Sequence, residues 1–190
     1  SVLRGEATIN EPKDFRTWRG PENNPAGKNQ WRILRRSVAD LHRRAQVSRA
    51  ATDRYLTALA AVHVSTPLAQ EAAAVCHALR RDGRRHRALN PFGQADAQLL
   101  ATINRGEFAL NGFRNRDVRA KLYQSTEHTK LLRRQTAAVG RRLLLLRAHG
   151  LIKKVPRTHR YLVTAKGRRI ITALMAARQA STEKLTAFAA

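Results

Sequence analysis

The chain has 190 residues, enough for one domain or two small ones with a buried core. Lys and Arg number 37 against 13 Asp and Glu, so the formal net charge is +24 and an anionic partner is expected to offset the repulsion. The single cysteine, Cys76, excludes an intrachain disulfide and a cysteine-based zinc site, and its apolar neighbours favour a small buried side chain.

The distribution of charge adds a second constraint. Residues 1–90 carry 17 basic and 8 acidic side chains, whereas residues 91–190 carry 20 and 5. The second half is therefore the more electropositive, although basic residues occur throughout both halves. No apolar run is long enough to span a bilayer and no signal peptide is present, so we expect no membrane partner and a cytoplasmic location, nucleoid-associated if the chain binds DNA.

The first region, residues 1–36, is predicted to be an extended arm followed by an irregular connector. Residues 2–9 alternate apolar and polar side chains as a single strand does, and that strand must pair with the wing sheet, another chain or a missing segment. A strand-like start at Ser1 indicates a piece of a longer protein. Residues 10–30 are rich in Pro, Gly and Asn, which predicts a connector anchored by Phe15 and Trp18.

The second region, residues 37–90, is predicted to be helical. Ser37 is a candidate cap for one long helix, or for two with a break around Val47. The apolar face of that helix is expected to consist of Val38, Leu41, Ala45, Thr52, Tyr55, Leu59 and Val62. Thr66 and Pro67 are expected to begin another helix that runs to about Leu79.

A basic segment, residues 80–87, follows the second helix. Asp82 and Gly83 mark a tight turn within it, which predicts a hairpin or loop able to reach a phosphate backbone. The candidate contacts in this segment are Arg84, Arg85 and Arg87.

The third region begins at a predicted domain boundary, Asn90–Pro91, and extends to residue 190. A short amphipathic helix is expected over residues 95–104, followed by a short strand in which Phe108 and Leu110 alternate with polar or small residues. Asn111 and Gly112 predict a turn, and Asn115 is a candidate cap for the next helix.

A unit of helix, strand, hairpin tip, strand and helix is predicted over residues 135–167. The helix stops at Gly150, Pro156 and Arg157 occupy the hairpin tip, and Thr164 is expected to cap the last helix. Within the first helix, Val139, Leu143 and Leu146 recur at spacings of four and three, with Thr136 and Leu132 extending the row, and are expected to face a core. The side chains expected to face outward are Arg134, Ala137 and Arg141.

Two features of that helix, Gly140 and the run of four leucines, each have more than one explanation. Gly140 costs about 1 kcal/mol relative to alanine, which either close approach to a phosphate or tight packing on a neighbouring helix would explain. Four consecutive leucines, residues 143–146, cannot all face one core, so at least one is expected to be exposed or to meet another chain.

Residues 95–181 resemble a winged helix-turn-helix domain of the MarR or PadR kind. The resemblance rests on the turn from Leu146 to Ile152 and on the Leu-x-Thr-x-x-Gly pattern from Leu162 to Gly167. It implies a mainly α fold with a small antiparallel β-wing, here preceded by a helical N-terminal region with one β-strand arm. It also implies that the third helix of this domain, which stops at Gly150, enters the major groove of duplex DNA.

The resemblance assigns candidate nucleic-acid contacts. On the third helix the reading positions are Gln135, Thr136, Ala137, Ala138, Gly140 and Arg141. Gln135 and Arg141 are favoured as base readers, because glutamine pairs with adenine and arginine with guanine. Backbone contacts are expected from Arg116, Arg133 and Arg134. The wing would contribute Lys153, Lys154, Arg157, Thr158, His159 and Arg160 to the minor groove or the phosphates.

Catalytic motifs are not evident: the seven histidines are scattered, no paired carboxylates stand beside them, and no phosphate loop is present. We therefore expect no enzyme activity and no cofactor in this segment, although a catalytic part preceding it is compatible with the sequence. The favoured function is binding of duplex DNA, as a regulator or part of a replication or mobile-element protein. The alternative is an RNA- or protein-contacting subunit of a ribonucleoprotein, and the C-terminal helix or the exposed leucines would suit a homodimer.

Overall fold

The computed structural model describes residues 8–24, 26–60 and 67–180. The chain divides into two compact units between Leu56 and Thr57. The strand predicted for residues 2–9 lies almost entirely outside the described residues. The architecture is mainly helical, with three small antiparallel sheets.

The first unit contains an antiparallel hairpin where an irregular connector was expected. Strand β1 (Arg16–Arg19) pairs with β2 (Gln30–Ile33), and Trp18 lies opposite Trp31. The predicted connector over residues 10–30 is therefore wrong in part, because two four-residue strands flank its Pro- and Asn-rich loop. Trp18 is 55 % exposed and does not anchor the segment as expected.

Helix α1 (Leu41–Ala60) is continuous and follows a 3₁₀ turn at Val38–Asp40. The predicted apolar face has the wrong phase: Val47 and Ala51 are buried, whereas Leu41 is exposed and Val38 is 82 % exposed. Ser37 precedes the 3₁₀ turn but makes no capping hydrogen bond through its side chain. The start of this helix is fixed instead by buried Asp40.

Asp40 is the charged centre of the first unit. Its Oδ2 accepts a hydrogen bond from the Arg35 backbone N–H at 2.8 Å, and its Oδ1 lies 3.4 Å from Arg19 Nε. Because Asp40 is only 3 % exposed, these contacts satisfy a carboxylate that burial would otherwise destabilise. They connect Arg19 at the end of β1, and Arg35 shortly after β2, to Asp40 just before α1.

The described part of the second unit begins with the last turn of α1 and continues with α2 (Leu68–Ala73), which follows Pro67. This helix ends before the expected Leu79, because Leu79 already belongs to strand β3 (Leu79–Arg81). Strand β3 pairs with β4 (Arg84–His86) through a turn in which Asp82 and Gly83 have φ of 50° and 72°. The predicted basic hairpin is thus confirmed.

Helix α3 (Gln94–Ile103) confirms the amphipathic helix predicted there. The next segment is helix α4 (Gly106–Asn111), so the strand predicted around Phe108 is wrong. Adjacent residues Phe108 and Ala109 are both buried, which a helix turned toward a core allows and a strand with alternating faces does not.

Strand β5 (Phe113–Arg114) leads directly into α5 (Asn115–Leu122), whose cap is Arg114 rather than Asn115. The Arg114 backbone N–H donates to Asp117 Oδ2 at 2.7 Å. Gly112, with φ of 70°, makes the preceding turn, as predicted from the Asn-Gly pair. A Cβ at Gly112 would overlap the Tyr161 carbonyl oxygen, so only glycine fits beside the sheet.

The predicted helix–strand–strand–helix unit is confirmed as α6 (Thr129–Ala148), β6 (Ile152–Lys154), β7 (Arg160–Val163) and α7 (Ala165–Gln179). Gly150, with φ of 73°, follows the end of α6. The three strands form a sheet in the order β5-β7-β6.

Thr164 caps α7, because its Oγ1 accepts a hydrogen bond from the Gly167 N–H at 2.9 Å. One apolar cluster fills the second unit and includes fully buried Phe113, Leu146 and Ile170. Val75 and Leu89 belong to the same cluster, so residues on both sides of Asn90–Pro91 share one core. The compact division therefore differs from the boundary expected there. None of the described helices is long and apolar enough to cross a bilayer.

Candidate nucleic-acid interface

Helix α6 presents one face to the core and the opposite face to solvent. Val139, Leu143 and Leu146 are at most 1 % exposed, as their spacing predicted. Six of its exposed side chains lie along the face opposite this core row and form a stripe, here called the α6 stripe: Lys130, Arg133, Arg134, Ala137, Arg141 and Leu144. At about 1.5 Å per residue, Arg134 and Arg141 lie roughly 10 Å apart along the axis.

The four consecutive leucines divide between the two faces. Leu143, Leu145 and Leu146 are buried, whereas Leu144 is 42 % exposed and continues the α6 stripe one turn after Arg141. The expectation that at least one leucine is exposed is confirmed.

Helix α5 packs behind the first half of α6 and is fixed to it by polar contacts at one residue. Asn115 Nδ2 donates to the Thr136 carbonyl oxygen at 3.0 Å, and Arg119 Nη1 donates to Thr136 Oγ1 at 3.0 Å. The Thr136 hydroxyl in turn donates to the Leu132 carbonyl at 2.8 Å. Thr136 was predicted both to extend the core row and to read bases. The first prediction is wrong, because Thr136 is exposed, and its hydroxyl is engaged with α5.

Sequence reasoning missed Asn115 and Arg119 as positioning residues. They are four residues apart on α5 and therefore lie on one face, which was a usable signal. Asn115 was considered only as a helix cap.

The remaining predicted reading positions on α6 lie outside the stripe. Gln135, Ala138 and Gly140 are half-buried. A Cβ at Gly140 would lie 3.6 Å from Asn115 Nδ2, an ordinary van der Waals separation. Packing between the helices therefore does not require glycine at position 140.

The β6–β7 hairpin carries exposed basic side chains on its first strand and in its turn. Lys153 and Lys154 are exposed on β6, and Arg157 and His159 are exposed in the turn, where Arg157 has a positive φ of 59°. Arg160 is half-buried instead, and its Nη1 donates to the Asn111 carbonyl at 2.8 Å. Arg160 therefore ties β7 to the end of α4.

Thr158 organises the hairpin turn. Its Oγ1 donates to the Val155 carbonyl at 3.0 Å and accepts from the Arg160 backbone N–H at 3.1 Å. These two bonds fix a turn whose positive φ is uncommon for a non-glycine residue.

The β3–β4 hairpin brings like charges together. Its register pairs Arg80 with Arg85 and Arg81 with Arg84, although like charges opposite each other on paired strands repel. Arg81 is directed to α6, where its Nη1 donates to the carbonyls of Arg147 at 2.9 Å and Ala148 at 3.2 Å. The negative end of the helix dipole stabilises a cation at this position.

Arg87, predicted to contact nucleic acid, is engaged with a carboxylate. Its two terminal nitrogens donate to Asp96 Oδ1 and Oδ2, each at 2.7 Å, and the Asn90 N–H donates to the same carboxylate at 2.9 Å. Hydrogen bonding from Arg87 lowers the pKa of the Asp96 carboxyl. The Arg87 carbonyl also lies 2.9 Å from His149 Nε2, so this segment joins α3 to the end of α6.

The charge around the α6 stripe and the β6–β7 hairpin is of one sign. Residues 129–163 contain ten Lys and Arg and no Asp or Glu. Arg116, on neighbouring α5, is exposed, and its Nε lies 3.5 Å from Asp117 Oδ1. The acid-free run was a sequence signal, and it concentrates the electropositive potential more sharply than the division into halves indicated.

Among the residues that the structure describes, no group of three or more His, Cys, Asp or Glu could hold a metal ion. The surface that remains is a basic helix stripe beside a basic hairpin. Comparison of the chain with protein-family models, curated proteins and solved structures finds no match.

Proposed function

We propose that the second unit binds duplex DNA as a winged helix, with α6 in the major groove and the β6–β7 hairpin on an adjacent backbone or minor groove. The observation that carries this proposal is the α6 stripe, on which Arg134, Ala137 and Arg141 project from a helix that α5 holds through hydrogen bonds at Thr136. Small Ala137 between two arginines lets a helix backbone approach base edges.

The order of elements supports the proposal. Helix α3, strand β5, helices α5 and α6, and hairpin β6–β7 follow one another as in a winged helix, with α4 added between α3 and β5. In that arrangement the second of two consecutive helices enters the groove and the first crosses the backbone. Exposed Arg116, in the first turn of α5, then faces phosphate.

Roles within the interface follow from exposure and partners. Arg141 is the leading base reader, while Arg133, Arg134, Lys153 and Lys154 are backbone contacts. Gln135 is half-buried outside the α6 stripe and ranks behind Arg141 as a base reader. Arg87 and Arg160 stabilise the fold rather than contact DNA. Arg87 donates to the Asp96 carboxylate and Arg160 to the Asn111 carbonyl.

The test separates base reading from backbone attraction. We expect Arg141→Ala to reduce the ratio of affinities for selected and random duplexes, whereas Lys154→Ala weakens both alike. Arg49→Ala, which removes an exposed charge from the first unit, is the matched control. Six phosphate contacts would lower affinity by about three decades between 50 and 200 mM salt.

Two results would reject this orientation of α6. One is an unchanged sequence preference in Arg141→Ala, and the other is an Arg49→Ala effect as large as that of Lys154→Ala. A selection from a random duplex pool supplies the sequences for both measurements.

A second candidate function is contact with structured RNA in a ribonucleoprotein. The β3–β4 hairpin favours it, because Arg80, Arg84 and Arg85 are exposed outside the α6 stripe. Competition between duplex DNA and structured RNA at equal salt distinguishes the two, and a clear RNA preference would replace the first proposal.

A further inference from the structure

The first unit displays an aromatic surface that duplex binding by the second unit does not use. Because Arg16 pairs with Ile33 and Trp18 with Trp31, these four residues share one face of the β1–β2 hairpin. Trp18 is 55 %, Trp31 40 % and Ile33 45 % exposed. The opposite face turns inward, since Thr17 is 8 % exposed.

The two indole rings form a pair that leaves ring surface accessible. Their centroids are 5.6 Å apart and their planes are inclined by 56°. A tilted pair presents two ring faces in different directions, so a flat ligand can stack on either ring without separating them. Three large apolar side chains, Trp18, Trp31 and Ile33, are exposed next to one another on this face, and contiguous apolar patches mark interaction sites.

Positive charge borders this aromatic surface. Arg16 is exposed on the same face, and Arg43 Nε donates to the Arg16 carbonyl at 3.1 Å, which places a second guanidinium beside β1. The nearby carboxylate of Asp40 is buried and engaged by Arg19 and Arg35. The surface therefore combines apolar rings with cations.

We propose that the Trp18–Trp31 surface binds single-stranded nucleic acid, with bases stacked on the indole rings and phosphates beside Arg16 and Arg43. Aromatic rings with bordering cations suit unpaired bases, whose flat faces are accessible, whereas the bases of a duplex are stacked on one another. This surface lies in the first unit and shares no residue with the α6 stripe of the second, so substitutions can remove either one separately.

Tryptophan emission reports on this surface alone, because Trp18 and Trp31 are the only tryptophans in the chain. The full chain is titrated with a thymidine oligonucleotide, a uridine oligonucleotide and a duplex of equal length, each end-labelled so that binding is also followed by anisotropy. We expect both single strands to quench the emission at saturation and the duplex to leave most of it. The thymidine and uridine arms establish whether DNA or RNA is preferred.

Variants locate the contact. Trp18→Ala should weaken single-strand affinity roughly ten-fold, in line with the loss of one stacked base, and Trp18→Phe should restore most of it. Arg16→Ala should weaken binding and lower the salt slope by about 0.7. Arg141→Ala should leave single-strand quenching unchanged while it lowers duplex discrimination, so failure of one proposal is distinguishable from failure of the other.

Three outcomes would overturn the proposal. The first is saturating single-strand binding, seen by anisotropy, without a change in emission. The second is equal quenching by the duplex. The third is a concentration-dependent emission shift together with a dimeric mass in the absence of nucleic acid, which would assign the surface to a second copy of the chain. If Trp18→Ala fails to fold, the unmodified chain and Trp18→Phe still decide between these outcomes.

Discussion

Replacing Asp96 with asparagine tests whether Arg87 stabilises the fold rather than contacting nucleic acid. The carboxylate is 4 % exposed and accepts three hydrogen bonds, two of them from Arg87. Hydrogen bonds to charged groups contribute about 1.5–3 kcal/mol each. The Arg87 side chain is 57 % exposed, so water screens its part, and asparagine keeps an acceptor for the Asn90 N–H. We expect a loss of about 2 kcal/mol in unfolding free energy.

The assay is urea unfolding followed by far-ultraviolet circular dichroism at several pH values. Because hydrogen bonding from Arg87 lowers the folded-state pKa of Asp96, its contribution is complete above the unfolded-state pKa near 4 and is lost as pH falls through the lower folded-state pKa. The difference between the parent and Asp96→Asn should therefore be constant at neutral pH and shrink in acid.

Arg84→Ala is the matched control, since Arg84 is exposed in the same basic segment but, among the described residues, pairs with no carboxylate as Arg87 does with Asp96. Arg87→Ala should lower stability in the same direction as Asp96→Asn, and Arg84→Ala should leave it within about 0.5 kcal/mol. An Asp96→Asn protein within that margin of the parent at pH 7 would refute the structural role of the pair. Arg87 would then return to the candidate nucleic-acid contacts.

Two glycines give opposite predictions. Gly140→Ala should raise stability by up to about 1 kcal/mol, since the added methyl meets Asn115 at an ordinary distance, and should weaken duplex binding if glycine serves close approach to phosphate. Urea unfolding and duplex titration measure the two effects, and unchanged duplex affinity would contradict that role. Gly112→Ala should lose more than about 2 kcal/mol, because φ is +70° and the methyl would overlap the Tyr161 carbonyl. A thermal midpoint near that of the parent would contradict it.

The elements that sequence predicted well are those whose signals are local. The end of α6 depends on a positive φ at Gly150, the start of α7 on the Thr164 cap, and the β3–β4 turn on Asp82 and Gly83. Each signal lies within a few residues of the feature it specifies. A single sequence therefore sufficed to place these boundaries.

The errors arose where tertiary contacts decide between local alternatives. The sequence around Phe108 alternates over too few residues to distinguish a strand from a six-residue helix, and burial of both Phe108 and Ala109 favours the helix. The strands β1 and β2 pair across a ten-residue loop, which is longer than the short turns whose signatures predict a hairpin. The phase of α1 depends on what Val47 and Ala51 pack against, which the pattern alone left ambiguous.

The sequence did not reveal which protein group, if any, each arginine side chain of the candidate site contacts. Four arginines are as basic as their neighbours, yet Arg81 and Arg160 donate to carbonyls at helix ends, Arg87 to a buried carboxylate and Arg119 to a hydroxyl. These contacts hold hairpin, helix and sheet in place around α6. Counting charge treats every arginine as available to a polyanion, whereas the structure separates those that build the surface from those displayed on it. Arg141 belongs to the displayed group, and for that reason its substitution is the sharper test of how α6 meets its partner.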